Sequence, residues 1–507
     1  MEKPFLTIES KDFVTGIAPS AHSEKGGLFY KAKGISPINE PGITESTDNW
    51  LLRAGPLASD LDSGGTVVVD NAIARAIDYG SSTYLYLMGD TGHFYQVTAA
   101  LGVTDLKSGG AISDVANGMV IYPVGGTKYC YYFQKTQIGR FDLSSTFVDN
   151  YVAASGGTVT LSGIHSTTMH PTHRFHDRVY WGNLSSVGSI KDDGTNGVTF
   201  SSNDLDIPAD SIITAISDDG IYLAIAITDN TSFVGSTLAD CRILFWDTSS
   251  DSWQREYRIP DQFIHSLTRQ GNTIIAQGKR GIYQVSFDGS TSAAGGGVKV
   301  LASLLTGLTS TSSVQLSGPY LGGIYKQNAY LFAHDSGGTS TYSSIGSLGK
   351  LSIDAPSAFM EPLIGATANH QFSLIETEFL PGKVIAGLNN KLYSYTFSGD
   401  SAATGVNAQT VYFHLPQKIQ ITRIDVIFGE PLASGDSVSL FVFTDEDTSS
   451  QAYGSAITYA AYGAIRRKQV FPNTSISADQ QFSLEIQFNA GTPKIQRIEI
   501  YGQTMTP

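Results

Sequence analysis

Short stretches in which apolar and polar residues alternate, each closed by a turn, recur along most of the chain. One pair of stretches reads STYLYLMGDTGHFYQVT from Ser82, and another reads RVYWGNLSSVGSIKDDG from Arg178. Alternation with a period of two is typical of a strand with one buried face. Gly, Asn and Asp in the connection are typical of a tight turn. Each pair therefore predicts a β-hairpin.

This hairpin pattern recurs about seven times. The copies begin near Ser82, Lys128, Arg178, Gly220, Asn272, Asn328 and Lys383, at steps of 42 to 56 residues. Further apolar runs between copies, such as SIITAIS and FIHSLTRQ, supply additional strands. Steps of this size match four-stranded propeller blades, which need stacked neighbours to bury both faces. We predict an all-β fold with a β-propeller of about seven blades over residues 61–408; a pair of unrelated β-sandwiches is the alternative.

Two features refine the predicted blades. Asp247 and Trp253 stand six positions apart across a tight turn, as in a kelch-type blade. Two hairpins are longer than the others, with insertions at Thr228–Asp240 and His334–Ser347. Because both insertions fall between the same two strands of their hairpins, we expect them on one face of the propeller, as a candidate contact surface.

The two ends of the chain depart from the repeat. Residues 1–60 include Pro37 and Pro41 and show little periodicity, which predicts an extended N-terminal arm that lies along its own propeller or reaches into a neighbouring subunit. After the repeat, strands such as KIQITRIDVIF and FSLEIQF are longer and alternate strictly. Residues 409–507 are therefore predicted as a separate antiparallel β-sandwich, jelly-roll-like. The one possible helical stretch is short, from Asn71 to Tyr79.

Two charge clusters lie in the predicted sandwich. The basic cluster is Arg466, Arg467 and Lys468, and the acidic cluster is Asp445, Glu446 and Asp447. Opposite patches of this kind could join neighbouring subunits head to tail, and two solvated loops are the alternative.

Composition supports a β-rich protein and narrows its partners. The 507 residues include 53 Gly, 25 Tyr and 25 Phe, which favours short strands and tight turns. A formal net charge of -14 argues against a protein that grips the nucleic-acid backbone. No apolar run approaches the about 20 residues that span a bilayer, and the N-terminus lacks the apolar core of a secretory signal. Cys130 and Cys241 lie in strand-like runs, which predicts buried reduced thiols, with a disulfide between them as the alternative.

Four histidines lie close together in sequence: His165, His170, His173 and His176, with Asp177 next. Side chains three positions apart on a strand point to opposite faces, so this spacing does not bring the imidazoles to one ion, although a loop could gather them. We therefore predict a polar connector leading into the strand RVYW rather than a metal site. A pH-responsive loop is a weaker alternative.

Motifs for catalysis are missing from the sequence. KDDGTNGVTF near Asp193 resembles the Asp-box of sialidase-like propellers, but its Asp-to-Gly spacing differs. The chain has no phosphate-binding Gly loop, no Gly-x-Ser-x-Gly elbow and no CxxC pair. We assign no catalytic, cofactor-binding or metal-binding residue and expect a protein that is not an enzyme.

Taken in order, several stretches resemble tailed-bacteriophage virion proteins that carry a β-propeller. They are PGITESTDNWLL at the end of the arm, RVYWGN and ILFWDTSSDSW in the hairpins, and KIQRIEIYG in the terminal sandwich. The nearest kind is a tail hub, nozzle or baseplate-type subunit. The resemblance covers most of the chain and is one of style and order rather than of a single motif.

The resemblance implies a non-enzymatic structural subunit that forms a homo-oligomeric ring around the tail channel. Such a subunit would contact adaptor and other tail proteins and would be assembled into the virion in the host cytoplasm. An acidic lumen would let DNA pass without specific binding.

Two other functions fit the predicted propeller. A glycan-binding receptor module would place exposed aromatic residues, such as Tyr342, on the face that carries the two insertions. A propeller-type glycoside hydrolase would need a matched pair of carboxylates in a central pocket.

Overall fold

The chain divides into two compact units. Unit 1 comprises Met1–Ala58, Ser347–Gly365 and Thr396–Pro507, and unit 2 comprises Ser59–Gly346 and Ala366–Tyr395. The computed structural model describes residues 3–9, 29–33, 35–39, 50–54, 56–61, 72–108, 110–159, 161–162, 170–229, 241–261, 263–278, 281–287, 296–303, 322–325, 329–335, 346–352, 358–361, 372–388, 391–400, 406–445 and 449–505.

The N-terminal strands precede the first repeated hairpin. They are β1 (Leu6–Glu9), β2 (Phe29–Lys33), β3 (Ile35–Asn39), β4 (Trp50–Ala54) and β5 (Pro56–Asp60).

The repeated part of the chain forms seven four-stranded sheets within the described residues. Sheet 1 contains β6 (Ala72–Tyr79), β7 (Thr83–Gly89), β8 (Phe94–Thr98) and β9 (Val103–Asp105); sheet 2 contains β10 (Val115–Val124), β11 (Thr127–Gln134), β12 (Ile138–Phe141) and β13 (Phe147–Val148); sheet 3 contains β14 (Thr172–Phe175), β15 (Arg178–Asn183), β16 (Ser186–Asp192) and β17 (Val198–Asp206); sheet 4 contains β18 (Ser211–Asp218), β19 (Leu223–Asp229), β20 (Cys241–Trp246) and β21 (Arg255–Ile259); sheet 5 contains β22 (Ile264–Gln270), β23 (Thr273–Gly278), β24 (Gly281–Ser286) and β25 (Gly297–Ser303); sheet 6 contains β26 (Gly322–Tyr325), β27 (Ala329–Asp335), β28 (Gly346–Ser352) and β29 (Ala358–Glu361); sheet 7 contains β30 (Phe372–Glu376), β31 (Lys383–Leu388), β32 (Lys391–Asp400) and the N-terminal β5. A helical turn, α1 (Tyr151–Ala154), follows sheet 2 and is capped by Asn150.

Each of the seven repeated hairpins forms the second and third strands of one sheet. SIITAIS and FIHSLTRQ contribute first strands, β18 and β22. The first strands contact one another in a closed cycle: β6, β10, β14, β18, β22, β26, β30 and again β6. Neighbouring sheets also share apolar cores, as where Tyr86 and Met88 of sheet 1 pack with Tyr132 and Phe141 of sheet 2. A closed cycle of stacked four-stranded sheets is a β-propeller, and we call this cycle the ring.

The strand β6 contradicts the short helix considered for Asn71–Tyr79. Its sequence AIARAIDY is rich in Ala and has no strong strand propensity. The strand nevertheless pairs with β7 from Ala72↔Gly89 to Tyr79↔Thr83. Ala72 and Ala74 are fully buried, each in a different core. Tertiary packing on both faces therefore overrides local propensity here.

The described residues of the C-terminal region form ten strands, and four of these have eight or ten residues. The ten strands are β33 (Val406–Thr410), β34 (Phe413–His414), β35 (Ile419–Phe428), β36 (Ser437–Thr444), β37 (Gln451–Ala452), β38 (Ile457–Thr458), β39 (Arg467–Val470), β40 (Ile476–Ala478), β41 (Gln481–Ala490) and β42 (Ile495–Thr504), with one helical turn, α2 (Tyr459–Tyr462), before β39. They form two seven-stranded sheets with the N-terminal strands. The first long sheet has the order β3-β4-β42-β35-β39, with β1 on β42 and β40 on β35; the second has the order β2-β33-β41-β36-β37, with β34 on β41 and β38 on β36.

The two long sheets share one hydrophobic core. Ile424 and Ile498 of the first long sheet pack in the same cluster as Leu440 and Ile486 of the second. Ile8 of β1 is 4% exposed and belongs to this cluster. The N-terminal residues thus contribute to the interior of this unit.

The observed division of the chain differs from boundaries drawn at residues 60/61 and 408/409. Residues up to Ala58 group with the C-terminal residues, and so does the stretch Ser347–Gly365. Within residues 1–60, the described strands β1 to β4 pair in the long sheets, and β5 completes sheet 7 of the same chain. The sequence signal for an arm reflected two prolines and the missing hairpin period, and it could not reveal partners hundreds of residues away.

Candidate functional site: the turn-lined end of the ring

The three histidines of this group that the structure describes do not converge. His165 lies outside the described residues. His170 is fully buried, with Nδ1 at 2.8 Å from the Gly182 carbonyl oxygen and Nε2 at 3.3 Å from that of Lys135. Burial lowers its pKa, which keeps the ring neutral. His176 adopts a φ of 54° in the turn after β14 and stacks on Phe175.

His173 instead takes part in a chain of polar contacts across three consecutive sheets. Its Nε2 lies 2.7 Å from Oδ2 of Asp218 at the end of β18. Arg269 on β22 donates from Nη1 to Oδ1 of the same Asp218 at 2.7 Å. Burial of Asp218 acts to raise its pKa, but the hydrogen bond from His173 and the charges of His173 and Arg269 outweigh it and hold that pKa low. One carboxylate thus joins sheets 3, 4 and 5.

Other ion pairs join neighbouring sheets at the same end of the ring. Arg75 on β6 pairs with Glu376 on β30, and thereby joins sheets 1 and 7. The Glu376 side chain is fully buried and also accepts the backbone N–H of Phe379 at 3.1 Å. Lys128 at the start of β11 contacts Asp78 of β6 at 2.6 Å and joins sheets 1 and 2.

Aspartates organise the connections from third to fourth strands. Asp142 Oδ1 accepts the backbone N–H groups of Ser144, Ser145 and Thr146 at 2.8 to 2.9 Å. Because several N–H donors favour the charged form, they outweigh the opposing effect of burial and keep the pKa of Asp142 well below its ordinary value. Asp142 is therefore ionised wherever these turn hydrogen bonds are intact.

The same arrangement recurs in sheets 3 and 4. Asp193 Oδ1 accepts from Thr195 N and Gly197 N, and Asp247 Oδ1 accepts from Ser249 N and Ser250 N. The Asp-box-like stretch is thus a turn closed by its own aspartate. Trp253, six positions after Asp247, is partly buried against the core between sheets 3 and 4.

These turns lie at one end of the ring. In a four-stranded antiparallel sheet, the connection from the first to the second strand and the connection from the third to the fourth strand leave from the same end of the strands. In sheets 1 to 4 the connections carry Asp142, Asp177, Asp193, Asp219, Asp247 and Asp251, and they carry no Lys or Arg. Ile221 in one such turn is 62% exposed, and Tyr79 at the end of β6 is 58% exposed. We call this surface the aspartate end.

Residue patterns in the sequence did not single out Asp218, Arg269 or the Arg75–Glu376 pair. These pairs join strands 50 or more residues apart, so no local motif marks them. A usable signal did exist for the turns, because FDLSS, KDDGTNG and FWDTSS each place Asp just after or at the end of a third strand.

The predicted charge clusters serve other contacts. Arg467 on β39 donates to Asp425 at 2.6 Å and to Glu499 at 2.9 Å within its own sheet. Asp445 accepts the backbone N–H groups of Asp479 and Gln480, each at 2.7 Å. Neither residue belongs to a freely solvated loop, and Glu446 and Asp447 lie outside the described residues.

Several further predictions concern residues whose surroundings are only partly described. The insertions follow β19 and β27, each a second strand, but residues 230–240 and 336–345, including Tyr342, lie outside the described residues. Cys130 and Cys241 are buried free thiols, and burial raises the pKa of Cys130. Among the described residues no group of three or more His, Cys, Asp or Glu could hold a metal ion. Neither helical turn described here is long enough to cross a membrane.

Comparison with family models gives no match, and comparison with curated proteins gives none either. Solved β-propellers are similar at low identity. A chain of the structure titled "Crystal Structure of Mitotic Checkpoint Complex" aligns at a TM-score of 0.42 and 11% identity over 71% of this chain and 96% of its own. The β-propeller domain of Myceliophteria thermophila Cps50 (Swd1) aligns at 0.42 and 11% over 67% and 99%, and the Neurospora crassa Pan2 WD40 domain at 0.42 and 7% over 69% and 96%. At these values nothing about function is transferred to this chain.

Proposed function

We propose that this protein is a non-enzymatic structural subunit of a bacteriophage virion, of the tail hub or nozzle kind, that assembles into an oligomeric ring. In this proposal the seven four-stranded sheets are the blades of one seven-bladed propeller. The two long sheets form a β-sandwich that takes part in assembly with neighbouring tail proteins.

The observation that carries the proposal is the pairing of N-terminal strands with strands that are several hundred residues away in the sequence. Strand β5 completes sheet 7, and β1 pairs with β42 from Leu6↔Ile500 to Glu9↔Arg497. Strands paired in this way resist fraying and proteolysis, because backbone hydrogen bonds and buried side chains hold them. That property suits a subunit that must stay assembled under mechanical load.

Charge supports the same role. A formal net charge of -14 disfavours adhesion to the DNA backbone, which a tail channel must let pass. The resemblance in the order of sequence stretches supplies the virion context, and the polar pairs at the aspartate end supply rigidity.

The proposal is tested by the assembly state of the purified protein. We expect light scattering to give a mass several times 54.2 kDa and negative-stain electron microscopy to display rings or short tubes. Immunogold labelling should place the protein on the tails of particles produced by the phage that encodes it. Labelling confined to cell debris, with none on particles, would contradict the virion assignment.

A second candidate function is a glycan-binding module, and the connection lengths favour it. The second-to-third strand connections of sheets 4 and 6 run over residues 230–240 and 336–345, whereas that of sheet 3 runs over residues 184–185. Long loops at equivalent positions on a rigid scaffold are a common way to build a binding surface. Binding of cell-wall saccharides that is lost when both loops are shortened to Gly-Asn turns would support this candidate, and binding that survives the shortening would contradict it.

A further inference from the structure

An asparagine precedes a glycine at two places in the chain. One pair is Asn117 and Gly118, and the other is Asn196 and Gly197. An asparagine in this position can lose its side-chain amide, because the glycine has no Cβ to hinder the approach of its backbone nitrogen to the asparagine Cγ. The structure places the two pairs in opposite surroundings, so their reactivity in the folded protein should differ.

The reaction is an intramolecular substitution. The glycine nitrogen attacks the asparagine Cγ, a new N–Cγ bond forms, and the Cγ–Nδ2 bond breaks. Ammonia leaves with the proton that the glycine nitrogen loses, and a cyclic imide remains. Water then adds to either ring carbonyl and opens the ring to aspartate or isoaspartate. The side chain must therefore be able to reach the following nitrogen, and water must be able to reach the ring.

The pair Asn196 and Gly197 lies in the turn between β16 and β17 of sheet 3. Asn196 is exposed and adopts a φ of 68°. Its Oδ1 lies against Gly125 in a turn of the neighbouring sheet 2, where a side chain on that glycine would collide with it. Because Asn196 is exposed, ammonia can leave and water can reach the imide.

Asp193 restrains the attacking nitrogen of this turn. Gly197 N donates to Asp193 Oδ1 at 3.0 Å, and the same oxygen accepts from Thr195 N at 2.6 Å and from Thr195 Oγ1 at 2.8 Å. The hydrogen bonds from Thr195 and Gly197 lower the pKa of Asp193, so the carboxylate keeps its charge at neutral pH. The reaction therefore requires a local opening of the turn, which costs little where the backbone is short and exposed.

The pair Asn117 and Gly118 is enclosed. Asn117 in β10 is 2% exposed, and its Oδ1 accepts the backbone N–H of His170 at 2.7 Å. A side chain on Gly118 would collide with the carbonyl oxygen of His170 and with Thr172. Movement of the Asn117 amide would break a buried contact between sheets 2 and 3. The reaction at this pair therefore requires a much larger opening of the ring.

We propose that Asn196 is a site of spontaneous deamidation in the folded protein, that opening of the Asp193 turn controls its rate, and that Asn117 is protected. Each modified chain gains one negative charge close to Asp192 and Asp193. In the isoaspartate product the backbone runs through the former side chain, which lengthens the turn that packs against Gly125. The inference is independent of the proposed function, because it depends on one turn and not on a partner.

Incubation of the purified protein at mildly alkaline pH measures both sites in one sample. Digestion at acidic pH, where the reaction is slow, followed by mass spectrometry detects the small mass gain when –NH2 is replaced by –OH. In urea, which unfolds the chain, we expect Asn117 and Asn196 to react at similar rates, because glycine follows both. In the folded protein we expect Asn196 to react at least about tenfold faster than Asn117.

Three variants test the role of the turn. Asp193→Ala removes the acceptor that holds Gly197 N and should speed the reaction of Asn196 about fivefold, as expected when a cap-like acceptor is lost. Asp142→Ala removes a turn-closing acceptor from sheet 2 and should leave that rate unchanged. Asn196→Gly keeps a residue that tolerates positive φ and should abolish the mass gain in that peptide. Circular dichroism melts establish that each variant folds.

Three results would overturn the inference. The first is an Asn196 that gains mass in urea but not in the folded protein. The second is an equal rate at Asn117 and Asn196 in the folded protein, because burial would then give no protection. The third is an unchanged or slower reaction in Asp193→Ala, because opening of the turn would then not control the rate. Each of these failures would leave the proposed function standing, and a protein that stays monomeric would leave this inference standing.

Discussion

The ring and the two long sheets are both built from antiparallel strands, but the paired strands are separated by different distances along the sequence. In sheets 1 to 5 every strand pairs with the strand next to it in sequence, as β10 does with β11 and β11 with β12. In the long sheets, β1 pairs with β42 and β2 with β33. Local pairings form with little loss of chain entropy, whereas the long sheets require the two ends of the chain to meet.

Among the described residues, each region holds a carboxylate with no exposed surface, and the partners of the two carboxylates differ. Glu376 in the ring pairs with Arg75, whose side chain is 16% exposed. Asp425 in the first long sheet pairs with Arg423 and with Arg467, which is 49% exposed. Glu376 relies on one arginine and backbone N–H groups, whereas Asp425 has two arginines that also reach water or other carboxylates. Loss of a single arginine should therefore cost more at Glu376 than at Asp425.

Removal of residues 2–54 should separate the two regions most strongly, because it should destabilise the long sheets and leave the ring intact. The deletion removes β1 to β4 from the long sheets and keeps β5 for sheet 7. It also removes Ile8 from the shared core. We expect hydrogen exchange, followed by mass spectrometry, to show loss of protection in β35, β41 and β42 and retained protection in sheets 1 to 5.

Equal loss of protection in both regions would contradict this expectation, because it would mean that the ring depends on the N-terminal strands for its stability. Unchanged protection of β42 would show that pairing with β1 contributes little to the long sheets.

Arg75→Ala should have the next largest effect. The substitution leaves Glu376 buried without its ion-pair partner, and breaking a buried pair in this way costs about 3 to 5 kcal/mol. Arg269→Ala is the matched control, because Arg269 also joins first strands through a carboxylate but its side chain is 48% exposed. We expect that control to cost no more than about 1 kcal/mol. Urea unfolding followed by tryptophan fluorescence gives the free energy of unfolding of both variants. Equal losses in the two variants would contradict the prediction that the buried pair contributes more than the exposed one.

The sequence could predict the ring because its pairings are local. Each hairpin such as RVYWGNLSSVGSIKDDG contains both partner strands and the turn between them, so alternation and turn residues were sufficient. The period of the copies then indicated stacking. The same reasoning placed SIITAIS and FIHSLTRQ as additional strands, which are β18 and β22.

The remaining features depend on residues that are far apart in sequence. LTIE of β1 pairs with RIEI of β42, at the other end of the sequence, and the core shared by the long sheets fixes this pairing. The contact between His173 and Asp218 spans 45 residues and depends on how sheets 3 and 4 stack. Neither alternation nor spacing encodes such contacts, which explains why the candidate site had to come from the structure.

The pH dependence of stability that comes from Glu376, the partner of Arg75, should be a smaller effect than the loss of Arg75. Burial raises the pKa of Glu376 above its ordinary value of 4.5, although the charge of Arg75 opposes this. The folded protein then holds the proton more tightly than the unfolded chain. This tighter binding of the proton stabilises the folded protein. Its contribution to the free energy of unfolding is complete below pH 4.5 and is lost as the pH rises through the folded pKa. Relative to Glu376→Gln, the wild type should lose stability over that interval, by at most about 1.4 kcal/mol per pH unit. Parallel stability curves for the two proteins would contradict this assignment.

Asp142→Ala should have the smallest effect, since it alters one local turn of the ring. The substitution removes the acceptor for three backbone N–H groups and leaves Leu143 with its φ of 64°. By analogy with helix caps, where a side chain likewise accepts from orphan N–H groups, the expected loss is about 1 kcal/mol of unfolding free energy. Asp142→Asn keeps one acceptor oxygen and should lose less. Ser145→Ala keeps the backbone donor and should stay within about 0.5 kcal/mol of the wild type.

Because the pKa of Asp142 is lowered, the difference in unfolding free energy between the wild type and Asp142→Ala should be full above pH 3.8. This gap should shrink as the pH falls through the folded pKa. A gap that widened in acid would mean that the carboxylate is not what closes this turn.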